Sequence, residues 1–522
     1  MSLNETLTGD LPNTDPGYRR LAGLRRQIRG ASPFAGDIVP SRVPVFALGS
    51  GRPTLPFPHP WNYHDPIRVL ESCFHGADAI EGSGRHSRYL DIPGFTPFLI
   101  TRDPGLIRAI MLETGDRPGQ FDRDVLPFVG IAQATGKNTL LSSNGPTWRR
   151  QRKLAATPFT KTKLFNLERF GEFEATFRQT VTARLGALRE RLAKSGETSV
   201  RIPLEPEIKC VMLEMLTNNF FGAAIPYDEL RTVYVPALER VIEHIVRDTV
   251  LGQLGVLGRG LTVLRSNGKS FKEDNAIFER LTSLVTEGRR GGRGLWNQFK
   301  ADEVPDDALR GNLRVFLAGA LEATTSYACW AITHLARSAP DQEKLYEAVK
   351  DVHEYTPENL RGAKYLGYVL DETLRLTPSL YFLPRQGTAD VWVQTTDSRR
   401  MFIPKGVHLL LDVWHANRHE DHWGIARTGH SALRFAPQRW AEMDAREDLP
   451  KDLMHFGFGF GARICPGQHL GQLESALVVG ALVKLFTFTA PTPDYQAKAG
   501  VSTKPLDGTL VDLTLRPAAT RS

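Results

Sequence analysis

The segment Phe456-Gly-Phe-Gly-Phe-Gly-Ala-Arg-Ile-Cys-Pro-Gly467 holds the residue types best suited to chemistry. Its glycines permit a tight turn and a close approach of the backbone to a flat ligand. Cys465 stands just before a helical pattern, with Pro466 suited to the first helical position. The free N–H groups and positive dipole end of such a helix favour the thiolate. Thiolate, rather than thiol, ligates metals, and on iron it donates electron density that favours O–O cleavage. Arg463 offers a cation to an acidic group of that ligand, and Phe458 offers an apolar wall on the sulfur side. The plain alternative is a buried free cysteine in a glycine-rich turn. A phosphate loop fits less well, because GxGxxG and GxxxxGK are both absent.

The pattern Phe458-x-x-Gly461-x-Arg463-x-Cys465-x-Gly467 resembles the haem loop of the cytochrome P450 family, in its soluble bacterial type. That resemblance implies a noncovalent b-type haem with Cys465 as the iron ligand, Gly461 and Gly467 shaping the loop, and Arg463 near a propionate. No CxxCH is present for covalent attachment. Glu372-Thr-Leu-Arg375 places an acid and a base on one helical face, which alone is ordinary surface decoration. In the family, Glu-x-x-Arg bonds an arginine of a later meander, and Phe435-x-Pro437-x-Arg439-Trp440 resembles that meander, as does Arg418-His-Glu-Asp-His-Trp423-Gly424 before it. A structural network of Glu372, Arg375 and Arg439 is therefore implied. Arg385 and the Trp148-x-x-x-Arg152 pair resemble the family's propionate-binding elements; ordinary surface arginines are the alternative.

On the oxygen side the family carries Ala/Gly-Gly-x-Asp/Glu-Thr, an acid and an alcohol that relay protons. Here the chain reads Leu317-Ala-Gly-Ala-Leu-Glu-Ala-Thr-Thr-Ser326. Counting back from Pro340 places the alcohol at Thr324, the acid position at Ala323 and the usual glycine at Leu321. Glu322 is then about 100° round the helix from the expected acid. Ala320, Ala323 and Thr324 share a face with room above a haem. A second register pairs Ala318-Gly319 with the family glycines and puts Glu322 in the alcohol's place. Proton delivery is expected through water, through Glu322 by a distorted turn, or through a substrate group.

These residues need elements to hold them. Residues 98–101 read as a strand, residues 304–338 as one long helix, and Pro340 opens another. Leu366, Leu370 and Leu374 at i, i+4, i+8 mark a helix stopped near Pro378. Residues 391–395 and 407–411 read as strands around the turn Pro404-Lys405-Gly406, and a last helix starts after Pro466. Residues 1–60, rich in Pro, Gly and Arg, read as a loosely packed arm, and 61–522 as one P450 domain. The fold class is mainly α (α+β), a large helical portion with a small β-rich one.

The chain has 522 residues, 41% hydrophobic and 24% charged, which excludes full disorder and allows a core that buries a bulky cofactor. Four cysteines, Cys73, Cys210, Cys329 and Cys465, form no CxxC and argue against a disulfide scaffold. A net charge of +7 is mild for this length, and the basic runs at 149–153 and 288–294 lack the stacking aromatics of a nucleic-acid module. His415, His419 and His422 raise the question of a zinc site. The opening residues have no signal-peptide pattern, and the apolar stretch at 476–486 is interrupted by Lys484 short of a membrane span. The expectation is a cytoplasmic haem-thiolate monooxygenase acting on an apolar or amphipathic substrate. Electrons would come from a separate ferredoxin or flavodoxin with its reductase, docking on Arg149, Arg150 and Lys153. The alternatives are a peroxygenase or isomerase of the same fold, or a haem-binding sensor without turnover.

Overall fold

The computed structural model describes residues 86–516 except 91–97, 116–118, 125–128, 137, 166–169, 253–263, 265–267, 292–293, 297–305, 399 and 447–453, and upstream only 45–46, 53–54, 67 and 70. The expected arm over 1–60, and Cys73, fall almost wholly outside these residues; within the arm only β1 (Val45–Phe46) and β2 (Pro53–Thr54) are described, as an antiparallel pair.

Helices dominate: α1 Pro104–Leu112, α2 Val129–Thr135, α3 Gly145–Ala156, α4 Phe170–Ser195, α5 Glu205–Glu214, α6 Val235–Gly252, α7 Lys269–Arg290, α8 Asp306–Leu335, α9 Ala339–Val349, α10 Lys364–Leu376, α11 Gln438–Asp444 and α12 Gln468–Leu485. Local chemistry sets several of their ends. Asp103 caps α1 by accepting from the Leu106 N–H at 2.7 Å, and Pro104 opens it. In α10 the expected Leu366, Leu370 and Leu374 are all buried, and the helix ends before Pro378.

At 30 residues, α8 is ~45 Å long. It packs against α5, α10 and α12. From Asn312 to Leu335 every residue is buried except Val315, Ala318, Gly319, Ala320 and Ala323. Val315, Gly319 and Ala323 lie at i, i+4, i+8, so the helix has one open face in its middle third. A helix otherwise closed on all sides is bordering a hollow there.

The strands form small sheets at the edge of this helical mass. β3 (Ser87–Leu90), β4 (Phe98–Thr101), β10 (His408–Leu411), β7 (Leu383–Gly387) and β5 (Phe121–Asp122) lie in that spatial order. β10 runs parallel to β4, with Leu409 opposite Leu99, and antiparallel to β7, with Leu409 opposite Arg385. A second sheet orders β11 (Phe486–Thr489), β14 (Leu510–Leu515) and β6 (Ser199–Pro203). β8 (Val391–Gln394) pairs with β9 (Arg400–Ile403), and β12 (Ala497–Ala499) with β13 (Thr503–Pro505). The turn at 404–406 is made by Gly406 at φ 89°.

The last helix begins at Gln468, two residues later than expected. Pro466 and Gly467 form a turn instead, with the Gly467 carbonyl accepting the first helical bond from Gly471 at 2.8 Å. One helix among the described residues, Leu309–Leu335 within α8, is long and apolar enough to cross a membrane, and most of it is buried in the core.

Candidate active site

The cysteine loop lies between α1, α3 and the start of α12. Gly459 and Gly461 adopt φ of 74° and 69°, the left-handed region that glycine alone enters freely. A Cβ on Gly461 would sit 2.6 Å from the Met111 carbonyl oxygen, so the loop approaches α1 more closely than any side chain permits. The Gly459 N–H donates to Phe456 O and the Cys465 N–H to Phe458 O, each at 2.9 Å. Arg152 Nη1 donates to Ile464 O at 2.8 Å, fixing the residue before the cysteine. The Phe458 ring meets Tyr327 of α8 edge-on at 6.0 Å. Space is open around Gly467 where a Cβ would be.

Cys465 is a free, half-buried thiol. Burial pushes its pKa up, while the Gly467 N–H and the Arg152 and Arg123 guanidiniums pull it down. A cationic metal at the sulfur would settle that contest for the thiolate.

Three guanidiniums beside the loop are held by neutral oxygens rather than carboxylates. Arg463 donates to Ser143 O (3.1 Å) and Asn144 Oδ1 (2.7 Å) and lies 3.9 Å over the Trp148 ring. Arg385 donates to Thr114 Oγ1 (3.2 Å) and Pro384 O (2.9 Å). Arg152 is bonded to the loop backbone. Burial and the neighbouring Arg123 and Arg385 push Arg463 down to about 8, and burial with Arg123 pushes Arg385 down to about 9. Asp122 stands among them half-buried, its own charge disfavoured by burial. So much buried positive charge on neutral partners asks for an anion. A haem with two propionates meets that demand, one soft thiolate suits its iron, and the open face of α8 leaves room for a flat ring. The residues fit the group.

The Glu372, Arg375 and Arg439 side chains do meet, and all are fully buried. Arg375 grips Glu372 with Nε at 2.8 Å and Nη2 at 2.9 Å, while Arg439 Nε stands 3.4 Å from Glu372 Oε1. The Ala436 N–H (2.9 Å) and Trp440 Nε1 (3.0 Å) also donate to Glu372. Arg375 Nη1 reaches Asn417 O and Ala432 O, so the network stitches the meander to α10 beneath the loop.

On α8, Thr324 borders the open face and donates from Oγ1 to Ala320 O at 2.6 Å. Glu322 departs from both routes considered for it. It is turned to the β12–β13 hairpin, where Lys504 Nζ and Ser502 Oγ each donate to it at 2.7 Å. Burial opposes its charge, but Lys504 and Ser502 prevail and hold its pKa below the usual carboxylate range. Helix α8 runs unbroken through this point, so no distorted turn brings Glu322 round. The second register also fails physically, because the side chain in the alcohol's place faces away from the hollow. Beyond Lys504 lie Glu205 (3.7 Å), Lys209 (2.7 Å from Glu205) and Lys498 (2.9 Å from Glu205), with Glu239 on Lys209.

The histidines do not assemble as a zinc site. His415 Nδ1 bonds Asp412 (2.7 Å), and His422 Nδ1 accepts from Arg427 (3.0 Å). His419 instead meets His86, with Asp421 close by. His419 Nδ1 accepts the Asp421 N–H at 3.1 Å, so its proton sits on Nε2, the atom facing His86 and the one a metal would need bare. Asp122, Arg123, Asn144 and Lys504 were not singled out from the sequence; Asp122-Arg123 carried a signal only in being a charged pair before an apolar run.

A sequence profile described as Cytochrome P450 matches residues 91–510. The chain is 26% identical over 514 residues to "Cytochrome P450 734A2" of Oryza sativa subsp. japonica, covering 92% of this chain and 84% of that protein. It is 23% identical over 431 residues to "11-oxo-beta-amyrin 30-oxidase" of Medicago truncatula (77% and 75% covered). It is 23% identical over 433 residues to "Probable cytochrome P450 313a3" of Drosophila melanogaster (76% and 81%). These relatives come from plants and a fly, not from bacteria.

Proposed function

The chain belongs to the cytochrome P450 family and is a haem-thiolate monooxygenase, and from that footing we propose that it inserts one atom of dioxygen into an apolar or amphipathic small organic molecule. The observation that carries this reading is the open face of α8, made of Val315, Gly319, Ala320 and Ala323 with Thr324 at its border. Bound there as the b form, haem would supply oxygen binding and the oxidative chemistry. Cys465 would hold its iron, and Arg463, Arg385, Arg152 and Trp148 its propionate edge.

The walls of the hollow support an apolar substrate. Ser379 Oγ donates to Ala323 O (3.0 Å) and the Thr503 N–H donates to Ser379 O (2.8 Å), so residues 379–383 and the β12–β13 hairpin converge on α8. Leu380 is 40% exposed there, and the charge of Glu322 is already neutralised by Lys504. Small and apolar side chains with few free polar groups suit a hydrophobic ligand. Thr324 would hold and pass a proton at Oγ1. Electrons would arrive in the cytoplasm from a ferredoxin or flavodoxin with its reductase, steered by the exposed Arg149, Arg150 and Lys153 of α3.

A ligand panel read by the haem spin-state shift tests the substrate class, and 11-oxo-beta-amyrin belongs in it on the strength of one relative's name. NAD(P)H-driven product formation with the partner proteins is then expected. Turnover with peroxide alone would favour a peroxygenase, and gas binding without product in either assay a sensor.

A further inference from the structure

The strands of β12–β13 are three residues each, too short for a two-stranded ribbon to hold its own shape. Their register adds a handicap, because Lys498 stands directly opposite Lys504, like charges on one face of the hairpin. What fixes the hairpin comes from other elements. Glu205 of α5 serves both lysines, 2.9 Å from Lys498 and 3.7 Å from Lys504. Glu322 of α8 takes the bonds from Lys504 Nζ and Ser502 Oγ. Lys209 joins Glu205 to Glu239 near the start of α6. Glu322, Lys504, Glu205 and Lys209 are all buried, so this ladder of ion pairs crosses from α8 to α6 through the hairpin.

The turn of the hairpin, Gly500–Ser502, lies between the same two helices. Ser502 is fixed to Glu322, the neighbour of Ala323 on the open face. A Cβ on Gly500 would lie 3.8 Å from Val246 Cγ2 of α6. Val501 between them is half-buried against the core. Thr503 steadies the far side: its Oγ1 donates to Pro378 O (2.8 Å) and accepts from Trp330 Nε1 (3.0 Å), about two turns along α8 from Glu322. A fully satisfied buried polar network allows one arrangement, where apolar packing alone tolerates sliding.

We propose that Glu322 and Lys504 determine which substrates fit: by locking the turn Gly500–Ser502 between α8 and α6, they fix how long an apolar ligand the hollow accepts. Both are positioning residues that act through the turn. The inference rests on the reading of the open face of α8 as the seat of the substrate.

Imidazole and a series of 1-alkylimidazoles of increasing chain length, bound to the haem-loaded protein and read by the red shift of its Soret band, test this without turnover. The wild type should accept ligands up to a limiting length and reject longer ones. Glu322→Leu with Lys504→Met replaces the ion pair by apolar contact and keeps most of the stability, but it releases the turn. In that double variant the first rejected ligand should bind ~10-fold or more tightly, with imidazole itself unaffected. Ser502→Ala, which keeps the ion pair and folds more safely, should move the limit the same way by a smaller amount. Recovered stability with a wild-type length limit would overturn the proposal, as would a wild type whose affinity rises through the whole series. If the wild type makes no product with its electron donors, the oxygenase reading falls, while the length limit still decides the role of the turn.

Discussion

Two groups of buried charge flank the hollow, and they are built on opposite terms. Beside the cysteine loop, Arg152, Arg385 and Arg463 rest on backbone, hydroxyl and amide oxygens, and burial strains their charge. Behind α8, Glu322, Glu205 and Glu239 are matched to Lys504, Lys209 and Lys498 in direct ion pairs. Charges that satisfy one another belong to the scaffold. Charges left on neutral partners mark the place where the protein awaits an anion. Glu372–Arg375–Arg439 leans to the scaffold's terms, fully buried, with one carboxylate shared by two guanidiniums.

The sharpest way to break this contrast is to unmatch a matched charge. Glu372→Gln should destabilise the protein by about 3–5 kcal/mol, read by urea unfolding, because it strands two buried guanidiniums. Glu322→Gln should cost about 3 kcal/mol for the same reason, while Glu322→Leu combined with Lys504→Met recovers most of that loss. If the single variant unfolds like the wild type, the hairpin pair is not a scaffold element.

Removing an unmatched charge should do the reverse. Arg463→Leu is expected to leave the haem-free protein within about 1 kcal/mol of the wild type, since it relieves repulsion as it loses two neutral bonds. Its haem retention, followed by transfer to apomyoglobin, should fall ~10-fold, the worth of one charged contact. A loss of apoprotein stability as large as that of Glu372→Gln would erase the distinction.

Acid separates the two groups by sign. Burial alone would raise Glu205, but Lys209 and Lys504 hold it at about 2, below its ordinary 4.5. A carboxylate with a lowered folded-state pKa gives stability that is complete above pH 4.5 and is lost as pH falls toward about 2. Glu205→Gln should flatten the stability profile in that window, and Arg463→Leu should leave it unchanged. The smallest effect belongs to the surface: Arg149→Ser with Arg150→Ser should slow electron transfer a few-fold at low salt and hardly at all at high salt.

Much of this was legible in the sequence where a residue's partner lies within a few positions. The glycines of the cysteine loop, the leucines of α10 and the long apolar run of α8 each declare their own conformation. Glu372–Arg375 was legible as a pair, but its meander partner came only through resemblance. Glu322 misled because its partner, Lys504, is 182 positions away on a hairpin that no local pattern ties to α8. Asn144 and Asp122 were invisible for the same reason: what makes them matter is the arginine brought to them by the fold. The histidines failed in the other direction, close in sequence yet turned to separate partners by the loops that carry them.

The most direct measurement is the difference spectrum of the reduced, carbon monoxide-treated protein, taken for the wild type and for Cys465→Ala after haem supplementation. The wild type should show the red-shifted Soret band of a thiolate-bound complex, and the variant should lack it. The same band in Cys465→Ala, or no haem uptake by the wild type, would contradict the assignment of Cys465 as the iron ligand.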